Sequence, residues 1–260
     1  MEYQFLLFRV EDRIAWITLN RPEKLNCLNK PLWKELQKAL QEAEAIDDAS
    51  VIALTGNGRA FCAGDDISEL TRLQDPKAAE DLFVNCIYGL VNYIFHLQKP
   101  LLSAVNGLAY GGGCELVMLT DIAVASENAR FAQPEARIGA WPPIFAVFGP
   151  PMVGIKATQE LLLTTEPINP QRALEIGLIN RVVPPDKLKE TTVEIAHKIM
   201  KSSPASLRII KETVNQALGR HLYEFWITCQ RFRHEVAKTE DFLEGATAFT
   251  EKRTPFFRGR

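Results

Sequence analysis

The chain has 260 residues and a mass of 29.2 kDa, and it is 47% hydrophobic and 24% charged, the composition of a globular protein with a sizeable core. A formal net charge of −2 and a pI near 6.1 give no electrostatic basis for binding nucleic acid or an anionic membrane, and no apolar run approaches the roughly 18 residues of a membrane span. The opening Met1-Glu2-Tyr3-Gln4 has no signal-peptide pattern and the five scattered cysteines include no Cys-x-x-Cys pair, so a cytoplasmic protein with reduced thiols is expected.

In chain order, Phe5 to Val10 and Ile14 to Leu19 read as two strands around the turn Glu11-Asp12-Arg13. A polar loop, Asn20 to Leu28, leads to Pro31, which opens a helix through about Ile46 with Leu32, Leu36, Ala39, Leu40 and Ala43 on one stripe. A strand follows at Val51 to Thr55. The next loop, Gly56 to Ile67, contains Gly-x-Gly but lacks the third glycine and the acidic residue of a dinucleotide site; it also lacks the Gly-Lys-[Ser/Thr] of a phosphate loop. A helical stretch runs from about Lys77 to Leu97 and ends at Lys99-Pro100. Strands at Leu101–Val105 and Ile122–Ser126 flank the most distinctive segment. Gln133-Pro134-Glu135 then leads into a stiff loop, Ile138 to Pro143. Helices are expected at 155–163, 170–176, 186–201 and 204–218, and again from Leu222 to Phe249. Alternating strands and helices followed by helices alone predict an α/β fold, with a core over 1–201 and a helical region over 202–260 that packs against partners.

The distinctive segment is Asn106-Gly107-Leu-Ala-Tyr-Gly111-Gly112-Gly113-Cys114-Glu115, followed by an apolar run. Three consecutive glycines are each about 1 kcal/mol poorer than alanine in a regular element. They fit a place where bare backbone N–H groups must come close to something, and at a helix start those groups are unpaired and favour an anion or oxyanion. Glu115 sits inside the apolar run that follows. A glutamate on the one solvated face of a short helix is the ordinary reading; a buried one has its pKa raised toward the range useful for proton transfer. Glu135 supplies a second carboxylate, and two carboxylates beside such a loop form an acid–base constellation. The four histidines, His96, His197, His221 and His234, lie on helical stretches without metal-ligand spacing, and no metal site is expected. No Gly-x-Ser-x-Gly elbow supports a serine hydrolase.

These segments, in this order, resemble the enoyl-CoA hydratase/isomerase (crotonase) superfamily over nearly the full length. Asn20-Arg21-Pro22 with Asn26 and Leu28 resembles its early signature. Phe61-Cys62-Ala63-Gly64-Asp65-Asp66-Ile67 is similar to its pre-pocket loop, and Asn106-Gly107 through Glu115 to its central motif. Gln133-Pro134-Glu135 and Phe249-Thr250-Glu251-Lys252-Arg253 complete the series.

The resemblance implies a spiral of ββα units forming two sheets, with a C-terminal helical region that builds homotrimers or homohexamers. It implies an acyl-CoA thioester substrate, with coenzyme A as part of that substrate and no separate cofactor. The implied oxyanion donors are the backbone N–H groups of Asp65 and Gly112. Glu115 would position and deprotonate water and Glu135 would protonate C2. Substrate or CoA contacts would come from Lys24, Leu25, Ala63, Asp65, Asp66, Ile67, Gly111, Gly112, Trp141, Phe249 and Lys252, with Phe249 and Lys252 reaching the CoA site of a neighbouring subunit.

Two features depart from the common hydratase pattern. Asp65 replaces an alanine, and Gly139-Ala140-Trp141-Pro142-Pro143-Ile144-Phe145-Ala146 replaces a glycine-rich segment, predicting a stiffer and more aromatic acyl pocket. Reversible hydration of a 2,3-enoyl-CoA is therefore the expected activity. Double-bond isomerisation, hydration of a cyclic or dienoyl-CoA and thioester hydrolysis are the alternatives. A non-catalytic trimer scaffold or RNA-binding protein is the reading from a different class.

Overall fold

A computed structural model describes residues 3–70, 73, 75–231, 235, 236 and 238–259. The first two strands, β1 (Leu6–Glu11) and β2 (Ile14–Leu19), form an antiparallel hairpin through the left-handed residues Asp12 and Arg13. Beside β2, the strands β3 (Val51–Gly56), β5 (Leu101–Val105), β7 (Ile122–Ser126) and β9 (Arg181–Val183) add in parallel, giving a six-stranded sheet in the order β1-β2-β3-β5-β7-β9. Three short strands, β4 (Ala60–Cys62), β6 (Leu108–Tyr110) and β8 (Arg130–Ala132), form a second, parallel sheet. β3, β5 and β7 thus each hand the chain to a short strand of the second sheet, three times in succession. That is the expected spiral. The three-residue strands are too short for periodicity to mark in the sequence, and none was anticipated there.

The apolar character of the central strands β2, β3, β5 and β7 follows from burial on both faces. Every residue of β5 is buried, and the one hydroxyl, Ser103, shares a 3.0 Å hydrogen bond with Thr120. One face packs on helix α9 (Leu188–Ile199) through Leu188, Ile195 and Ala196. The other faces the main core, where helix α1 (Lys30–Ala45) contributes Leu32, Trp33, Leu36 and Leu40. Asn29 caps α1 by accepting the Leu32 N–H at 3.0 Å.

Helices α2 (Ile67–Leu70), α3 (Pro76–Glu80), α4 (Gly89–His96), α5 (Gly112–Met118), α7 (Ile155–Thr164) and α8 (Pro170–Glu175) complete the front of the chain. Three expectations need correction. The helix expected over 77–97 is interrupted at Asp81–Tyr88 by a wider π turn, a feature frequent beside functional sites. The segment after Pro143 is a helix, α6 (Pro143–Val153), despite Pro150 and Pro151; Pro143 opens it because the first helical N–H needs no partner. Helix α10 (Pro204–Arg231) runs unbroken past Gly219, where a gap was expected, because Phe225 and Cys229 are held in the main core. Helix α11 (Glu240–Thr250) starts afresh at the Thr239 cap. His234 lies outside the described residues.

Asn26 anchors the early loop. Its residue is fully buried, its Oδ1 accepts the Arg21 N–H at 2.8 Å, and its Nδ2 donates to the carbonyls of Asn57 and Ala60 at 2.9 and 2.8 Å. The Asn26→Ala variant leaves the buried Arg21 N–H without its partner and removes a donor from the Asn57 and Ala60 carbonyls, the latter keeping Asn106 Nδ2 at 3.2 Å; a lost buried partner costs about 1–3 kcal/mol. Chemical denaturation is expected to show a loss on the order of 3 kcal/mol or more.

Candidate active site

Of the three glycines at the start of α5, Gly111 and Gly113 have neighbours too close for a side chain, and Gly112 is tightly surrounded, a Cβ on it standing 3.1 Å from the Leu28 side chain. Gly111 has φ +51°, and a Cβ on it would stand 2.5 Å from Glu135 Oε1. A Cβ on Gly113 would meet the Cys62 carbonyl at 2.2 Å. The glycines therefore let the helix start lie directly against the end of β4 and against Glu135. The early loop closes the same corner: Leu28 N–H donates to Gly64 O and Asp66 N–H to Leu28 O, both at 2.8 Å, and Ala63 N–H to Leu25 O at 3.0 Å. Among the described residues, neither the Asp65 N–H nor the Gly112 N–H donates to another group. A Cβ built on Gly64 would lie 3.6 Å from Gly112 N, which puts the two stretches side by side.

Glu115 and Glu135 share one small cavity of about 70 Å³ with Asp65, Phe83, Ile87 and Trp141. All seven residues of α5 are buried, and Glu115 is only 3% exposed. The start of α6 satisfies its charge in part, since the Phe145 N–H donates to Glu115 Oε1 at 2.8 Å and the Ile144 N–H adds to this. Burial still dominates and, with the nearby Asp65 charge, pushes the Glu115 carboxyl up to about 8. Glu135 is raised further above the ordinary carboxylate range, first by burial and then by the charge of Glu115.

The two glutamates differ in one respect that the backbone explains. Pro134, Pro142 and Pro143 line the cavity and have no N–H to offer. Glu135 Oε2 is buried without a hydrogen-bond partner among the described residues. Ionisation is thus easier at Glu115, which has backbone donors, and a retained proton is favoured at Glu135. Two carboxylates of unequal acidity stand in one buried pocket.

The remaining expected residues divide clearly. Ala63, Asp65, Ile67, Gly111 and Trp141 line the cavity. Gly112 adjoins it, with Leu28, Asp65 and Trp33 around its Cα. Lys24 and Leu25 end the 3-10 turn Pro22–Lys24, Lys24 exposed and Leu25 against Ala63. Asp66 faces away: Arg21 pairs with it at 3.1 Å and the Ser68 hydroxyl donates at 2.7 Å, contacts that hold its carboxyl below the usual range although burial opposes them. Phe249 and Lys252, at the end of α11, are exposed and lie outside the cavity of the single chain. Among the described residues no group of three or more His, Cys, Asp or Glu side chains is arranged to hold a metal.

Sequence reasoning missed Trp33, Phe83, Ile87 and the backbone of Phe145. Trp33 reads as a core residue of α1, and only the fold shows its Nε1–H donating to Asp65 Oδ1 at 2.9 Å. Phe83 and Ile87 belong to the π turn, whose wider winding no spacing rule anticipates.

Two buried carboxylates with raised pKa values beside unpaired backbone N–H groups are an arrangement that can take up and release protons. A family model for enoyl-CoA hydratase/isomerase matches residues 9–260. Over 97% of both chains, the protein is 35% identical to the short-chain-enoyl-CoA hydratase of Clostridium acetobutylicum. It is 35% identical to the 2,3-dehydroadipyl-CoA hydratase of Escherichia coli, covering 98% of this chain and 99% of the relative. The crystal structure of carnitinyl-CoA hydratase from Mycobacterium avium superposes with a TM-score of 0.85 at 32% identity over 99% of each chain. The chain belongs to the enoyl-CoA hydratase/isomerase family and has its crotonase fold.

Burial of Glu115 has a thermodynamic consequence. Its folded-state pKa, about 8, lies above the ordinary 4.5, so the folded protein binds this proton more tightly than the unfolded chain does. Stability is therefore lost as pH rises between these values. Relative to wild type, Glu115→Gln is expected to gain stability progressively across that window, by several kcal/mol at its upper end. Urea unfolding of both proteins at pH 5 and pH 8.5 checks the sign.

Proposed function

We propose that the protein is an enoyl-CoA hydratase that adds water reversibly across the 2,3 double bond of a short, uncharged-backbone acyl thioester. The observation that carries this reading is the pair Glu115 and Glu135 in one cavity, the first with two backbone donors from α6 and the second with only its own N–H and one oxygen unpartnered. Addition of water to a conjugated thioester gathers negative charge on the carbonyl oxygen as an enolate forms. In our reading the Asp65 and Gly112 N–H groups donate to that oxygen, and such preorganised donors are each worth about 3 kcal/mol. Ionised Glu115 takes a proton from the water that attacks C3, and protonated Glu135 gives its proton to C2. The reverse sequence eliminates water. No electron transfer is involved, so the two carboxylates and the N–H pair supply the whole reaction and no separate cofactor is required.

The relatives differ in acyl group, from short enoyl to dehydroadipyl and carnitinyl, so the pocket walls must set the choice. A cavity of about 70 Å³ walled by Phe83, Ile87, Trp141 and three prolines favours a short chain. Crotonyl-CoA is the natural first substrate, followed by loss of its conjugated-thioester absorbance. Glu115→Gln and Glu135→Gln are each expected to lower kcat by about 10²- to 10⁴-fold. The rate is expected to rise with pH toward about 8, as Glu115 ionises, and to fall again when Glu135 loses its proton. Failure to hydrate crotonyl-CoA or any other enoyl-CoA would sink the proposal.

We further propose that the first half of α10 joins copies of the chain into a trimer or hexamer, bringing Phe249 and Lys252 of one copy to the CoA site of another. Ile209, Ile210 and Val214 are exposed there, and an apolar groove of about 370 Å³ runs between this part of α10, α4 and β7. An exposed apolar surface of this kind marks an interaction face. Light scattering is expected to give a multiple of the chain mass for wild type and a reduced one for Ile210→Asp with Val214→Asp.

A further inference from the structure

The cavity contains a third acidic side chain that hydration does not use. Asp65 lines it together with Glu115 and Glu135, and its Oδ1 is fixed by the Trp33 indole N–H at 2.9 Å. Its Oδ2 lies 3.4 Å from where a Cβ on Gly112 would stand, at the start of α5, and receives no hydrogen bond from the described residues. Among the described residues, no lysine, arginine or histidine lines the cavity. Arg21, in the adjoining loop, is committed to Asp66 at 3.1 Å and to the Cys27 carbonyl at 2.6 Å.

We propose that Asp65 is a specificity-determining residue that excludes acyl groups carrying a carboxylate, restricting the enzyme to uncharged enoyl chains. This rests on the acyl-CoA reading above. A cavity of about 70 Å³ keeps a bound acyl carboxylate close to Asp65, with no cation among the described lining residues to meet it. Two like charges a few ångströms apart in a partly dry site repel strongly, and discrimination on the order of 10²-fold is expected.

The charge is present at neutral pH. Burial raises the Asp65 carboxyl to about 6, the Trp33 bond opposing and the charges of Glu69 and Asp66 adding to the rise. Facing it are Glu115 from α5, Glu135 from the turn after β8 and the Cys62 thiol of β4, all themselves pushed upward by burial. Between pH 6 and 8 Asp65 is therefore the carboxylate that ionises first.

The test compares glutaconyl-CoA with 5-methylhex-2-enoyl-CoA, in which an isopropyl group replaces the carboxylate at equal shape. The ratio of their kcat/KM values is measured for wild type and for Asp65→Asn, which retains the backbone N–H and a carbonyl acceptor for Trp33. Wild type at pH 7.5 is expected to prefer the neutral substrate by about 10²-fold, and Asp65→Asn to reduce that ratio at least about 10-fold. A loss of folding quality or of catalytic power lowers both rates and leaves the ratio alone. Should Asp65→Asn turn over neither substrate, calorimetric Kd values for glutaryl-CoA and 5-methylhexanoyl-CoA give the same ratio without turnover. An equal ratio in wild type and variant, or no preference in wild type, overturns the proposal. If wild type binds and hydrates no acyl-CoA, crotonyl-CoA included, the underlying reading has failed, and this one with it.

Discussion

Removing carboxylates from water is the constraint on which this structure turns. Glu115 sits inside a helix that is buried on every side, and Glu135 is packed against its first glycine. An isolated carboxylate in such a place is expensive, and the protein meets the cost by raising the pKa until the group keeps its proton at lower pH. What distinguishes the two glutamates is how much help each receives. The N-terminal turn of α6 turns its free N–H groups toward Glu115, while the prolines that precede it turn ring carbon toward the cavity. One helix start thereby gives two chemically identical side chains different tendencies to ionise.

The same constraint explains features that look unrelated along the chain. Glycines 111 and 113 permit contacts of 2.2–2.5 Å to positions where a side chain would stand, so the helix carrying Glu115 can abut β4 and Glu135. Asn26, 34 residues before Ala60 in the chain, ties the early loop to the carbonyls of Asn57 and Ala60 and so fixes the loop that carries Asp65. Phe148 of α6 packs on Phe225 of α10 with ring centroids 5.7 Å apart, which holds α6 in place to face Glu115. The long C-terminal helix thus supports the site from behind with one half and leaves its other half apolar and exposed.

Much of the fold was legible in the sequence because it depends on local rules. The five long strands were visible as apolar runs between turn signals, and α1, α7, α8 and α9 as helical stretches, with asparagine and proline at the starts of α1 and α8. The short strands of the second sheet and the π turn were not, because three residues carry no period and a widened turn has the same apolar content as a regular one. Helix α6 was hidden by its own prolines, which read as breakers although Pro143 is well suited to a first helical position.

By itself the sequence determined the family, through five motifs in order, and with it the two carboxylates and the glycine corner. These are determined locally because a residue type and its spacing are enough to state them. Only the tertiary structure decided the environment of each: that Trp33 holds Asp65, that backbone N–H groups reach Glu115 and prolines surround Glu135, and that Asp66 faces Arg21 instead of the cavity. Acidity depends on burial and on neighbours brought from distant parts of the chain, and those are set when α1, α5 and α6 pack together.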